Sequence, residues 1–178
     1  MFGGAGNDNM LLRRQDVQTD LKLTDAQVQK IKTAQSTLFQ SFRGGGNSNR
    51  QTAFKTFTST IDGILASSLK TRLHQISIQL AGPMAVMMPD VKKAIGLTAD
   101  QSTKIKALQQ TEMKANRALF QKMRNGDMDR QSAMDGLKKN SDYLKTAISK
   151  VLTTEQLAKL KSLGGAPFTS TDTSNFPG

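Results

Sequence analysis

VQTDLKLTDAQVQKIK, residues 17–32, returns at an offset of 74 as VKKAIGLTADQSTKIK, residues 91–106. Each copy holds the string LTxxQ, as LTDAQ from Leu23 and LTADQ from Leu97, and a third instance, LTTEQ, begins at Leu152. A threonine followed three residues later by a glutamine has capping-box spacing. The hydroxyl accepts the N3 amide while the glutamine reaches back to the cap amide, so two donors orphaned by a helix start are satisfied together. Thr24 with Gln27, Thr98 with Gln101 and Thr153 with Gln156 therefore mark helix starts and not catalytic groups. Leu23 and Leu152 stand where a hydrophobic staple would use them, opposite Val28 and Leu157, whereas Leu97 meets only Ser102. An acid in each first turn (Asp25, Asp100, Glu155) suits the positive end of the helix dipole.

The repeat is wider than the motif. FQSFRGG from Phe39 answers FQKMRNG from Phe120 at an offset of 81, and ILASSLKTRL from Ile64 answers VLTTEQLAKL from Val151 at 87. The second copy has thus gained seven residues inside its long helix, about two turns, which keeps the apolar face. In the first copy Ala66 occupies the third motif's cap position, with Ser67 or Ser68 able to replace it. Periodicity predicts a helix over 10–21 capped by Asn9, then one over 24–43 with Val28, Ile31, Ala34, Leu38 and Phe42 on one face. GGGNSN after Arg43 reads as a flexible turn, followed by helices over 51–64 and 68–80, and Ala81, Gly82 and Pro83 end the copy. The second copy repeats the order over 89–95, 99–124, from 128 or 129 to 151, and over 154–163, with a turn at Asn125 and Gly126. Met134, Leu137, Leu144, Ile148 and Val151 form the cleanest stripe. The expected fold is all-α, an elongated helical bundle or cradle of two tandem repeats. Residues 1–9 form a flexible leader, 10–83 repeat 1, 84–165 repeat 2, and the turn-rich 166–178 a disordered tail.

The 178 residues carry a formal net charge of +11, divided as +5 over 1–83 (10 basic, 5 acidic) and +6 over 84–178 (15 basic, 9 acidic). The excess is spread over both copies, unlike a basic tail. Lys114, Arg117, Lys122 and Arg124 run along the second long helix near Met113, Phe120 and Met123, and Arg43 neighbours Phe39 and Phe42. Cations mixed with flexible apolar side chains suit partners that are both acidic and greasy, which makes these ten residues the candidate binding set. An amphipathic helix also places the same types routinely, as a solvated face over a Phe- and Met-filled core.

Catalytic readings fare worse. There is one histidine, His74, and no cysteine, which excludes disulfides and thiolate metal sites. The nine methionines permit a soft ion, but core filling is their ordinary role. No phosphate-binding loop, nucleophile elbow or paired-carboxylate pattern is present, so no enzyme, cofactor or metal is expected. No apolar run reaches about 18 residues. The start, MFGGAGNDN, lacks the regions of a signal peptide and suits a mature exported protein or a cytoplasmic flexible leader equally.

LTDAQ followed by a basic amphipathic helix, and a later hydrophobic residue followed by LTTEQ and a further helix, resemble the LTxxQ family of small bacterial envelope proteins that includes the Spy and CpxP chaperones. The resemblance spans most of residues 17–163. It implies an all-helical periplasmic stress protein that binds unfolded or partly folded polypeptides on a concave basic surface without ATP, usually as a cradle-shaped dimer of single-repeat chains. Two repeats in one chain allow either a monomer with a pseudo-twofold or a homodimer. Two alternatives stand beside it. A basic helical nucleic-acid-binding protein is suggested by the charge and a pI near 10.1, against dispersed charge and no aromatic platform. An adaptor docking a membrane stress sensor would need the same amphipathic groove.

Overall fold

The computed structural model of the chain describes residues 8–44 and 47–171, the side chains of 43–49 excepted. Among those residues the chain is all-α with no strand. It divides into two compact units, the first combining the chain up to Ala81 with the chain from Leu163 onward, the second spanning Gly82–Ser162. The first unit begins with a short 3-10 helix (Asn9–Arg13) and continues through α1 (Gln15–Asp20), α2 (Asp25–Gly44), α3 (Asn47–Ile64) and α4 (Ser67–Ala81). The second begins with a 3-10 helix (Gly82–Met87) and continues through α5 (Pro89–Ala94), α6 (Ala99–Asn125), α7 (Arg130–Val151) and α8 (Thr154–Leu163). The element order is the same in both, as the repeat requires.

The helix expected over 10–21 is broken. Leu12 and Val17 are both fully buried, yet five residues on one helix lie about 140° apart, so a continuous helix could not bury both. The break at Arg14, extended at ψ 131°, lets each side chain face the core. The second copy solves the same problem in the same place: Val86 and Val91 are buried on either side of Met88, extended at ψ 129°.

The exits from α1 and α5 also match. Leu23 N–H reaches the Gln18 carbonyl at 3.1 Å and Lys22 N–H the Thr19 carbonyl at 3.0 Å, while Leu97 reaches Lys92 and Gly96 reaches Lys93, both at 3.1 Å. These are Schellman turns, which need a left-handed residue after the helix. Gly96 supplies it at φ 67° and Lys22 at φ 50°. Glycine enters that region freely, whereas a residue with a Cβ does so at about 1–2 kcal/mol.

The chain departs from expectation at four further points. α3 starts at Asn47, inside the expected turn, because Asn and Ser are at home at a helix start; residues 45–46 lie outside the described set. On α7 the buried place assigned to Met134 is taken by Ala133, and Met134 is 40% exposed. Gln35, at 8% exposure, sits within the buried stripe of α2 between Ile31 and Leu38. Residues 166–171, expected to be disordered, lie against the first unit because Phe168 packs on its core and side chains of α4 hold the backbone.

Candidate functional site

The motif glutamines do more than cap. In the first unit Gln27 Oε1 accepts the Thr24 amide at 3.0 Å, Thr24 Oγ1 accepts the Gln27 amide at 3.2 Å, and Gln27 Nε2 donates across to the Ile64 carbonyl at the end of α3 at 3.2 Å. In the second unit Gln101 and Thr98 close the same box, and Gln101 Nε2 donates to the Val151 carbonyl at the end of α7 at 2.9 Å. Each glutamine therefore ties the start of one long helix to the end of the next.

The second unit adds a third box, Thr153 with Gln156, and the two glutamine amides meet. Gln101 Nε2 donates to Gln156 Oε1 at 2.7 Å, Gln156 Nε2 returns to Gln101 Oε1 at 2.9 Å, and Gln156 Nε2 also reaches the Gly96 carbonyl at 3.2 Å. A primary amide offers two donors and two acceptor lone pairs. Counting the cap amides, both glutamines use all four, which makes burial of Gln156 at 7% exposure affordable without an unmet group. The first copy has Leu69 at the place of Gln156, packed against its core. The adjacent Glu155 is held below the ordinary carboxylate range, chiefly by the Thr153 hydroxyl. Leu23, Leu97 and Leu152 are all partly or fully withdrawn from solvent. The nine motif residues are structural fasteners.

The expected binding residues of the second unit, Met113 to Arg124, lie on the outer half of the α6–α7 hairpin. α6 has 27 residues and α2 has 20; the extra seven fall between Lys106 and Phe120 and extend the helix by about 10 Å. The core does not follow them outward. Beyond the level of Ile105 and Leu144, among the described residues of α6 and α7, only Ala133 is buried. The helices instead meet through a polar seam, with Asn140 Nδ2 donating to Asn116 Oδ1 at 2.8 Å and Asn116 Nδ2 to Glu112 Oε1 at 3.1 Å. They also approach closely at Gly136, where a Cβ would come within 2.8 Å of Leu119 Cδ1.

Large apolar side chains are consequently left in solvent: Met113 is 61% exposed, Phe120 46%, Met134 40% and Met123 37%. At about 100° per residue, Met113, Arg117, Phe120 and Arg124 follow one another at steps of four, three and four residues and form a single stripe. Lys114 lies to one side of it. Lys122, nine residues from Met113, projects from nearly the opposite side, in the last turn where exposed carbonyls favour a cation. Met123 turns toward the side bearing Asn116 and Leu119. The far end of the hairpin is firmly closed: Gly126 is left-handed at φ 83°, and the Asp129 carboxylate caps α7 by accepting the Ser132 amide at 2.9 Å. The hydrogen bonds from the Ser132 hydroxyl and amide lower the Asp129 pKa.

In the first unit Phe39, the counterpart of Phe120, is also exposed at 40%, with the Arg13 guanidinium 5.3 Å from its ring centroid. Phe42 is withdrawn and packs on Phe54 at 5.2 Å between centroids, so it belongs to the core. The side chain of Arg43 lies outside the described residues. One feature of this unit carries no sequence motif: a groove of about 870 Å³ between α2 and α3. Its wall residues Thr33, Thr37, Ser41 and Thr60 each donate their hydroxyl to the carbonyl four residues back, which leaves carbon facing the groove. His74 is engaged by Asp8, Nδ1 to Oδ2 at 2.6 Å. No helix among the described residues is long and apolar enough to cross a membrane. No protein-family model, curated protein or solved structure matches the chain.

Proposed function

We propose that the protein binds unfolded or partly folded polypeptides without ATP, as a holdase-type chaperone, through the outer half of the α6–α7 hairpin. The observation that carries this is the exposure of Met113 and Phe120 in one stripe with Arg117 and Arg124. Flexible methionines hold clients of varied shape, and the cations speed encounter with acidic segments. The motif resemblance extends the proposal to an exported protein of the bacterial envelope that also contacts a membrane stress sensor. A net charge of +11 favours a second reading, in which the same basic hairpin binds nucleic acid.

Aggregation of a chemically denatured client, followed by light scattering, separates the two. Met113→Ser with Phe120→Ser should remove most of the suppression, while Lys122→Glu should leave it nearly intact. All three positions are exposed, so helical circular dichroism should be unchanged. Salt should slow capture but leave part of the affinity, since charge is screened over about 8 Å at physiological ionic strength and apolar contact is not. Tight binding to a generic duplex that falls log-linearly with salt, with no suppression at several-fold excess, would overturn the chaperone reading in favour of the second.

A further inference from the structure

The chain after α8 turns sharply at Gly165, whose φ of 67° strains any residue with a Cβ and whose Cβ would also have to displace the Gln75 amide. It then runs as an extended segment against α4, whose Arg72 and Gln79 address its backbone, while beyond α4 the Ser170 hydroxyl accepts from Arg14 at 2.5 Å and meets Asp16 Oδ2 at 3.4 Å. Gln79 Nε2 donates to the Gly164 carbonyl at 2.5 Å and the Ala166 carbonyl at 2.8 Å, and Gln79 Oε1 accepts the Phe168 amide at 2.8 Å. Arg72 Nη1 donates to the Ala166 carbonyl at 2.6 Å, while Asp20 pins the same guanidinium at 2.7 Å and 2.9 Å. Farther along, the Thr171 amide donates to Asp16 Oδ2 at 3.1 Å. The principal apolar anchor is Phe168, packed on the core of the unit.

A surface that reads main-chain groups and pockets one aromatic ring accepts many sequences, provided the segment is extended and small at the turn. We infer that the face of α4 bearing Arg72, Gln75 and Gln79 is a polypeptide-binding site for an extended segment carrying an aromatic residue, kept occupied by the chain's own residues 164–171 until such a segment displaces them. The tethered tail competes at an effective concentration on the order of millimolar, so a free segment binds weakly while the tail is docked. Its apparent affinity falls in proportion to the fraction of molecules whose site is open. This site does not depend on the α6–α7 hairpin, and its test does not involve aggregation.

The probe is a fluorescein-labelled peptide GGAPFTST, copied from residues 164–171, titrated with full-length protein and read by anisotropy. Phe168→Ala removes the anchor of the tail, and Gly165→Ala places a Cβ on the Gln75 amide at an unfavourable φ; neither alters a binding side chain. Both variants should bind the peptide at least about tenfold more tightly than the wild type. Adding Gln79→Ala should abolish that gain, as should replacing the peptide's phenylalanine by alanine. Equal, weak binding by wild type and Gly165→Ala, with helical circular dichroism unchanged, would overturn the inference. So would a concentration-dependent dimer whose formation excludes the peptide, since the site would then belong to the tail of a second copy. If Phe168→Ala loses helical signal, Gly165→Ala alone decides the outcome, because its substitution lies outside every helix.

Discussion

Replacing Gln156 by alanine tests the interlocked glutamines at their most buried point. The change strands the Thr153 cap amide, the Gly96 carbonyl and one donor and one acceptor of Gln101, in a site where Gln156 itself is 7% exposed. A lost cap costs about 0.5–2 kcal/mol and a buried group left unmet about 1–3 kcal/mol, so an overall loss of about 2–4 kcal/mol is expected. Gln27→Ala removes only one box and one carbonyl contact in a more exposed setting and should cost about 1 kcal/mol. Because Gln101 and Gln156 share two hydrogen bonds, the double variant should cost about 1–2 kcal/mol less than the sum of the singles. Urea denaturation by circular dichroism gives the totals. Hydrogen exchange at α8 amides assigns the loss to the second unit, since two units need not unfold as one. Additive costs, or a Gln156→Ala loss no larger than that of Gln27→Ala, would show that the pair is not the fastener argued above.

Other substitutions probe the rest of the account. Lys22→Gly relieves the left-handed lysine and should stabilise the first unit by about 1 kcal/mol, while Gly96→Lys, with open space around the new Cβ, should destabilise the second by a similar amount; urea midpoints measure both. Gln35→Met removes a buried Nε2 that has no partner among the described residues and should raise stability by about 1 kcal/mol, and a loss would mean that the amide is used. The Asp129 carboxyl, lowered by its Ser132 hydrogen bonds, adds stability that is complete above the unfolded-state pKa and disappears as pH falls through the lower folded value. Carbon-detected NMR titration should show that depression shrink in Ser132→Gly, which loses the hydroxyl donor and keeps the backbone amide.

Most of the helix order was legible because its signals are local. Capping boxes at Thr24, Thr98 and Thr153 and glycines at 96 and 126 mark ends within a few residues. What escaped was set by tertiary demands. The break at Arg14 exists because Leu12 and Val17 must both face one core, which becomes visible only once that core is placed. Nothing in LTADQ and LTTEQ says that their glutamines meet across 55 residues. The seven-residue insertion was legible as arithmetic, but its consequence, a hairpin outrunning its core and leaving Met113 and Phe120 in solvent, was not. Grouping by sequence proximity also merged unlike residues: Phe42 belongs to the core, and Lys122 projects away from the stripe. The tail looked disordered by composition because two phenylalanines eight residues apart among Gly, Pro, Ser and Thr give no periodicity to read.

The most direct test of the hairpin's role is site-specific photo-crosslinking to a denatured client. A photoreactive residue placed in turn at 113, 120 and 122 of the full chain should capture client strongly from 113 and 120 and weakly from 122. Equal capture from all three, or none from 113 and 120 while the protein still suppresses aggregation, would place client binding elsewhere and contradict the account.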